Sequence, residues 1–329
     1  MKNKLKRQKE NILVFLIENR ALWLTVVLCA IVSLSTPLFL SQSNLINVLR
    51  QVCVTSIVAV GFTMVIGSGH IDLSVGSMLG LLGMVMGMLM RAGFSTGIAI
   101  LGGVLIGVVC SSVNASFITF FSLPPFIVTL ATQQVFRGIT YLLTNRASIM
   151  GLPEDFLFLG QGYIGKIPMP IYILAGVILI MFFVVKYTVF GRYAVAMGGN
   201  QEAVRISGVN IAKIRFGVYI TVGICVGIAA AVMTARVGAA QVSAGQDLEM
   251  DSIAAVVIGG TAMSGGSCKI IGTLFGCILV GVINNALNLL GVNASWQIIA
   301  KGAIILISIL LDTVSRNIYA ALRNKAAME

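Results

Sequence analysis

Residues 56–80 read SIVAVGFTMVIGSGHIDLSVGSMLG, and residues 252–276 read SIAAVVIGGTAMSGGSCKIIGTLFG. Laid over each other by a gapless shift of 196, they agree at eight of 25 positions, including Ser68/Ser264, Gly69/Gly265, Gly76/Gly272 and Gly80/Gly276. Biased composition alone gives some identities between two apolar stretches. The matched glycine spacing is the stronger sign, and many membrane folds are built from repeats. The same shift lays 22–40 on 218–236 and 96–118 on 292–314. The expectation is two four-helix repeats in one orientation, helices 1–4 and 7–10, with helices 5 and 6 between them.

The rest of the chain fits a membrane setting. Of its 329 residues, 58% are hydrophobic and only 10% charged, and the mean hydropathy is +1.00. Most of such a chain cannot be the surface of a soluble domain. A helix needs about 20 apolar residues to span the hydrocarbon. The apolar blocks accommodate ten: 22–40, 46–67, 73–90, 96–118, 124–143, 169–186, 214–235, 250–264, 270–290 and 296–314, or eight if a short one re-enters. The fold class is thus all-α, a polytopic membrane helix bundle forming a single domain over 1–329.

Orientation follows from the basic residues. The N-terminal tail, 1–20, carries Lys2, Lys4, Lys6, Arg7 and Lys9, and the C-terminal tail carries Arg316, Arg323 and Lys325. The connection 187–213 and its flanks carry Lys186, Arg192, Arg205, Lys213 and Arg215 against one acid, Glu202. The positive-inside rule puts all three in the cytoplasm, so the helix count is even. Glu154 and Asp155 then fall in one outer loop, and Asp247 and Glu249 in another. Arg146, Lys166 and Arg236 also fall outside, so the bias is imperfect. The net charge of +11 is accounted for by orientation rather than by nucleic acid. A long apolar block without a small-residue cleavage pattern follows the basic start, so a retained first helix is expected rather than a signal peptide. Six scattered cysteines without a CxxC read as packing residues, not as disulfides or metal ligands.

The only histidine, His70, stands two residues from Asp72 in GSGHIDLSVGS, residues 67–77. An ionisable pair at membrane depth is a functional hypothesis by default, and a proton relay is one reading. The other is structural: Asp72 follows a flexible Ser-Gly pair and precedes an apolar helix, where a carboxylate accepts amide hydrogen bonds at the helix start. In the second copy Cys268 stands opposite Asp72 and Gly266 opposite His70, so Gly69, Asp72 and Gly265 read as parts of a structural turn. By this reading Asp72 is the only acid of the bundle interior.

Four stretches together carry a family resemblance: IDLSVGSMLGL, PPFIVTLATQQVFRGITYLLT (124–144), GRYAVAMGGNQEAVRISGVN (191–210) and residues 251–292. They resemble the ribose-type family of monosaccharide ABC transporter permeases, in order and across nearly the whole chain. The resemblance implies a ten-helix, non-enzymatic subunit of the bacterial cytoplasmic membrane. Its implied partners are a second permease copy or close relative, a cytoplasmic ABC ATPase and an extracytoplasmic sugar-binding protein. No GxxxxGK[ST] occurs in the chain, so no cofactor is expected here and ATP is expected on the partner subunit. No metal site is expected, and no GxSxG or HExxH supports an intramembrane enzyme. The rival is an ion-coupled carrier acting alone, which needs buried acids on its path.

Two sets of candidate residues follow. Between helices 6 and 7, Gly199, Asn200, Glu202, Ala203, Arg205 and Gly208 predict a short capped helix. Glu202-Ala203-Val204 with Gly208 resembles the EAA-x3-G loop that engages an ATPase. For a neutral, polyhydroxylated cargo, amide and hydroxyl linings suit the path. Thr129, Gln133 and Arg137 share a face of helix 5, and Asn284, Asn285 and Asn288 lie on helix 9, with Gln297 and Lys301 on helix 10. The alternative for each is an interhelical hydrogen bond, or for Arg137 and Lys301 snorkelling to the interface. Glycine pairs four apart, such as Gly103/Gly107 and Gly223/Gly227, read as close-packing sites.

Overall fold

The computed structural model of the chain describes residues 20–293, 295–303, 306, 307 and 310. The two tails expected to face the cytoplasm, and the end of the tenth predicted helix, lie outside these residues.

Helix α1 (Arg20–Ser35) stops ahead of Pro37. A 3₁₀ turn over Pro37–Leu40 follows, where the sequence reading had run one helix through to residue 40. Proline tolerates the first turn of a new helix but not the interior of an old one. Ser41 then caps α2 (Gln42–Gly67), so this helix begins four residues earlier than expected. The order continues with α3 (Val75–Arg91), α4 (Thr96–Phe120) and α5 (Pro125–Thr144). A short α6 (Glu154–Gln161) and a two-stranded hairpin, β1 (Tyr163–Ile164) against β2 (Ile167–Pro168), fill the connection that had read as plain loop. The hairpin and an isolated antiparallel bridge between Ile149 and Ala240 are the departures from all-α among the described residues. Next come α7 (Met169–Tyr187), α8 (Val189–Gly199), α9 (Gln201–Ile206), α10 (Ile211–Val237), α11 (Leu248–Ile258) and α12 (Ile270–Leu289). Residues 295–303 are again helical.

Two helices make the centre. The second half of α2, from Ser56 to Gly67, is buried on every side, and most of α10 between Val218 and Ala235 is buried as well. A helix apolar all round must be covered all round. Here α10 lies against α2, α3, α4 and α6, while α11, α12 and α7 close around α2. The approach of α4 to α10 is set by two glycines: a Cβ on Gly107 would stand 2.6 Å from the Gly223 carbonyl oxygen. That closeness is the purpose of small residues where helices meet in lipid.

The periphery is the reverse of a soluble protein. Leu34, Leu142 and Phe120 are 91%, 79% and 71% exposed, on helices whose other faces are packed. Five helices among the described residues, α2, α4, α7, α10 and α12, are long and apolar enough to cross a membrane. Hydrocarbon is the solvent these surfaces fit.

One predicted helix is much shorter than expected. The span 250–264 ends at Ile258, because Gly259 and Gly260 follow and Gly260 turns back at φ +91°. It also starts earlier, at Leu248, so Glu249 is not in a loop but in the first turn of α11, only 5% exposed.

Candidate functional site

The two matched stretches meet at one end of the bundle. Past the end of α2, Gly69 adopts φ +81°; past the shorter α11, Gly265 adopts φ +81° as well. Both values are in the left-handed region that only glycine enters without cost. The turns touch directly, since the Gly266 amide donates to the Gly67 carbonyl at 2.9 Å. Against this junction lies the C-terminal end of α8. A Cβ on Gly198 would overlap the Gly67 carbonyl and stand 2.8 Å from the Gly266 nitrogen, and one on Gly265 would stand 2.8 Å from the Gly198 Cα. Three backbones therefore converge where no side chain fits.

Gly199 continues from this contact into α9. Asn200 Oδ1 accepts from the Ala203 amide at 2.9 Å and caps that helix, a bond whose loss typically costs about 1 kcal/mol. Arg205 donates twice to the Glu202 carboxylate, with Nε at 2.9 Å. The helix ends at Ile206, and Gly208 in the turn after it has φ +80°. Glu202 and Arg205 are exposed, and the hydrogen bonds from Arg205 hold the Glu202 carboxyl below the usual carboxylate range.

Asp72 is wholly buried, and its role is local. Its Oδ1 accepts from the Ser74 amide at 2.8 Å and from the Ser74 hydroxyl at 2.6 Å. Asn114 of α4 donates in turn to Ser74 Oγ at 2.9 Å. The residue at the N-cap position is Ser74, so Asp72 secures the turn two residues ahead of it. No hydrogen bond joins His70 to Asp72. The imidazole packs instead near the Tyr219 ring, with centroids 5.9 Å apart.

Thr129, Gln133 and Arg137 of α5 each make hydrogen bonds within the bundle. Thr129 donates to the Pro125 carbonyl at 2.9 Å, Gln133 donates to Glu249 Oε1 at 2.8 Å, and Arg137 Nη1 donates to the Val242 and Ala244 carbonyls at 2.8 and 3.0 Å. Gln133 and Arg137 clamp α5 to α11 and the segment before it. The carboxylate of Glu249 fits because Gly76 has no side chain: a Cβ there would overlap Glu249 Oε2.

The asparagines of α12 divide. Asn285 exchanges amide hydrogen bonds with Asn44 of α2, at 2.7 and 3.0 Å, a tie of roughly 1 kcal/mol in a membrane bundle. Asn284 and Asn288 instead face a cavity of about 220 Å³, at the end of the bundle away from the glycine junction. Gln51, Arg236, Gln246, Asp251, Gln297 and Lys301 also line it. Lys301 pairs with Asp251 Oδ2 at 3.2 Å, and Asn284 donates to the same oxygen at 3.3 Å. The Oδ1 of Asn284 is buried without a hydrogen-bond partner.

Asp251 and Glu249 overturn the reading of Asp72 as the only interior acid. The sequence held a usable signal for the first of them: an acid one turn into one apolar helix and a lysine in another form a pair by default. Among the described residues, no three His, Cys, Asp or Glu side chains cluster as for a metal ion.

Residues 44–309 match the family described as branched-chain amino acid transport system, permease component. The chain belongs to this permease family. Over 288 residues the permease is 41% identical to the ribose import permease protein RbsC of Bacillus subtilis (strain 168), covering 87% of this chain and 89% of that one. It is 37% identical over 291 residues to the D-allose transport system permease protein AlsC of Escherichia coli (strain K12), covering 88% and 89%. The xylose transport system permease protein XylH of Haemophilus influenzae is 31% identical over 356 residues, covering 88% and 94%. No solved structure matches the permease.

Proposed function

We propose that this permease is the membrane-spanning subunit of an ATP-driven, binding-protein-dependent importer of a monosaccharide. The observation that carries the reading is the agreement of its relatives: proteins named for ribose, allose and xylose transport align with nearly its full length. The polar cavity supports the cargo class. Its 220 Å³ is below the roughly 300–1,000 Å³ of sites for drug-sized ligands, and suits one sugar ring. Asp251, Asn284, Asn288 and Gln297 offer the mixed donors and acceptors that hydroxyls pair with.

In this reading ten helices cross the bacterial inner membrane, helices 1–4 and 7–10 are repeats, and both termini and the connection 187–213 face the cytoplasm. The cavity then opens toward the binding protein. Helix α9 engages the ATPase through Gly199, Asn200, Glu202, Ala203, Arg205 and Gly208. A displacement of α9 enters the bundle through Gly198, which abuts the turns after α2 and α11.

Reconstitution in proteoliposomes tests the reading. Uptake of ribose, allose or xylose is expected only when ATPase, ATP and binding protein are all present. Uptake by the permease alone under a proton or sodium gradient would establish the ion-coupled carrier instead. Within the assembled system, Glu202→Ala/Arg205→Ala and Gly208→Val are expected to leave a folded permease that retains less ATPase on co-purification. Because Arg205 lowers the Glu202 pKa, the ion pair is present above the unfolded carboxylate pKa and is lost only as pH falls through the lowered folded value. Co-purification should therefore be flat between about pH 8 and pH 6.

A further inference from the structure

A second cavity, of about 760 Å³, lies beside the glycine junction and takes no part in the transport reading. It runs between the start of α1, the ends of α7 and α8 nearest each other, and the start of α12. Lys186, Arg192 and Lys269 line it, with no acidic side chain among its lining residues. None of the three cations has an anionic partner among the described residues. Lys186 Nζ stands 5.1 Å from the Phe182 ring centroid and 5.4 Å from that of Tyr187. Arg192 has a single long bond, to the Tyr187 carbonyl at 3.5 Å. Lys269 donates its backbone amide to Thr261 Oγ1 at 3.0 Å, and its ammonium makes no hydrogen bond among the described residues.

Three like charges around one space repel unless an anion joins them. The remaining walls say what kind of anion. Leu22, Val185, Ile271 and Phe275 are apolar, and beyond them α7 continues as an exposed apolar face through Phe183, Ile180 and Leu179. With α7 spanning a bilayer, the charges stand at the end of a lipid-facing helix, where a headgroup region would lie. A soluble anion would use the cations and leave the apolar walls wet.

We propose that this groove binds the phosphate headgroup of an anionic phospholipid, with its acyl chains laid along α7 and α1. Basic pockets between membrane helices are suited to such headgroups. The site rests on the chain spanning a bilayer and not on which cargo it moves, so its failure and that of the sugar reading are separate results.

The test uses the full-length permease in nanodiscs of three parts phosphatidylcholine to one part phosphatidylglycerol, with native mass spectrometry of retained lipid after transfer to neutral detergent. The parent is expected to keep phosphatidylglycerol in preference to phosphatidylcholine. The triple variant Lys186→Gln/Arg192→Gln/Lys269→Gln should lose that preference by roughly tenfold or more, while Lys186→Arg/Lys269→Arg keeps it. Lys213→Gln, a cation outside the groove, should behave as the parent. A matched thermal melt shows that each variant is folded.

Equal retention by parent and triple variant would overturn the proposal. So would an equal loss in Lys213→Gln, which would reduce the effect to overall charge. Displacement of the lipid by inorganic phosphate would assign the groove to a soluble anion, and displacement by the purified ATPase would assign it to an acidic protein surface.

Discussion

The turn after α2 and the turn after α11 have the same backbone requirement and meet it with different chemistry. Gly69 and Gly265 share a φ of +81°, and each turn leads into the next helix of the bundle, α3 and α12. Starting α3 depends on a buried carboxylate, with Asp72 bonded to Ser74 and Ser74 to Asn114. Starting α12 depends on neutral groups: Thr261 Oγ1 accepts from the Lys269 amide, and Ser267 Oγ accepts from the Ala262 amide, both at 3.0 Å. The glycines supply the shape of both turns. The side chains only satisfy the helix ends, and several solutions serve.

The largest effect should come from disturbing both turns at once. Gly198→Val puts a branched side chain where the Gly67 carbonyl and the Gly266 amide already stand. Uptake should fall more than about tenfold, as small misplacements in a working geometry do, with ATPase still bound through α9. If uptake in proteoliposomes were unchanged, the contact of α8 with the turns would be incidental.

Next is the charged turn alone. Asp72→Ala removes the acceptor of two hydrogen bonds and should cost about 1–2 kcal/mol, read as a lower midpoint of thermal unfolding. Asp72→Asn keeps an acceptor oxygen without a buried charge and should stay near the parent in stability and uptake. Loss of transport in a stable Asp72→Asn would restore a protonation role and break the comparison.

The smallest effect is expected at the neutral turn. Thr261→Val conserves shape and removes one acceptor from the Lys269 amide, at a cost of about 1 kcal/mol. A cost above that of Asp72→Ala would mean that the neutral turn, not the charged one, is the more tightly held.

These differences also mark what was legible in sequence. Short-range signals read well: the α9 segment between Asn200 and Gly208, the glycine-bounded turns and the alternation of apolar blocks all depend on neighbours within a few residues. The Gly259-Gly260 pair was a local stop signal too, and reading through it overextended α11. Long-range partnerships did not read. Gln133 and Glu249 are 116 residues apart, and Lys301 and Asp251 are 50 apart. Nothing local to Gln133 distinguishes a residue that clamps Glu249 from one that faces an open path. The meeting of Gly198 with both turns was equally hidden, because a close approach needs an absent side chain and leaves no polar trace.

The hydrogen bond from Gly266 to Gly67 has a mechanical meaning. It closes a short loop of contacts through α2, α8 and the segment after α11, so the two turns have fewer independent ways to move than two separate hinges would. In the proposed coupling, a push delivered by α8 reaches both turns together, or the bond between them breaks first.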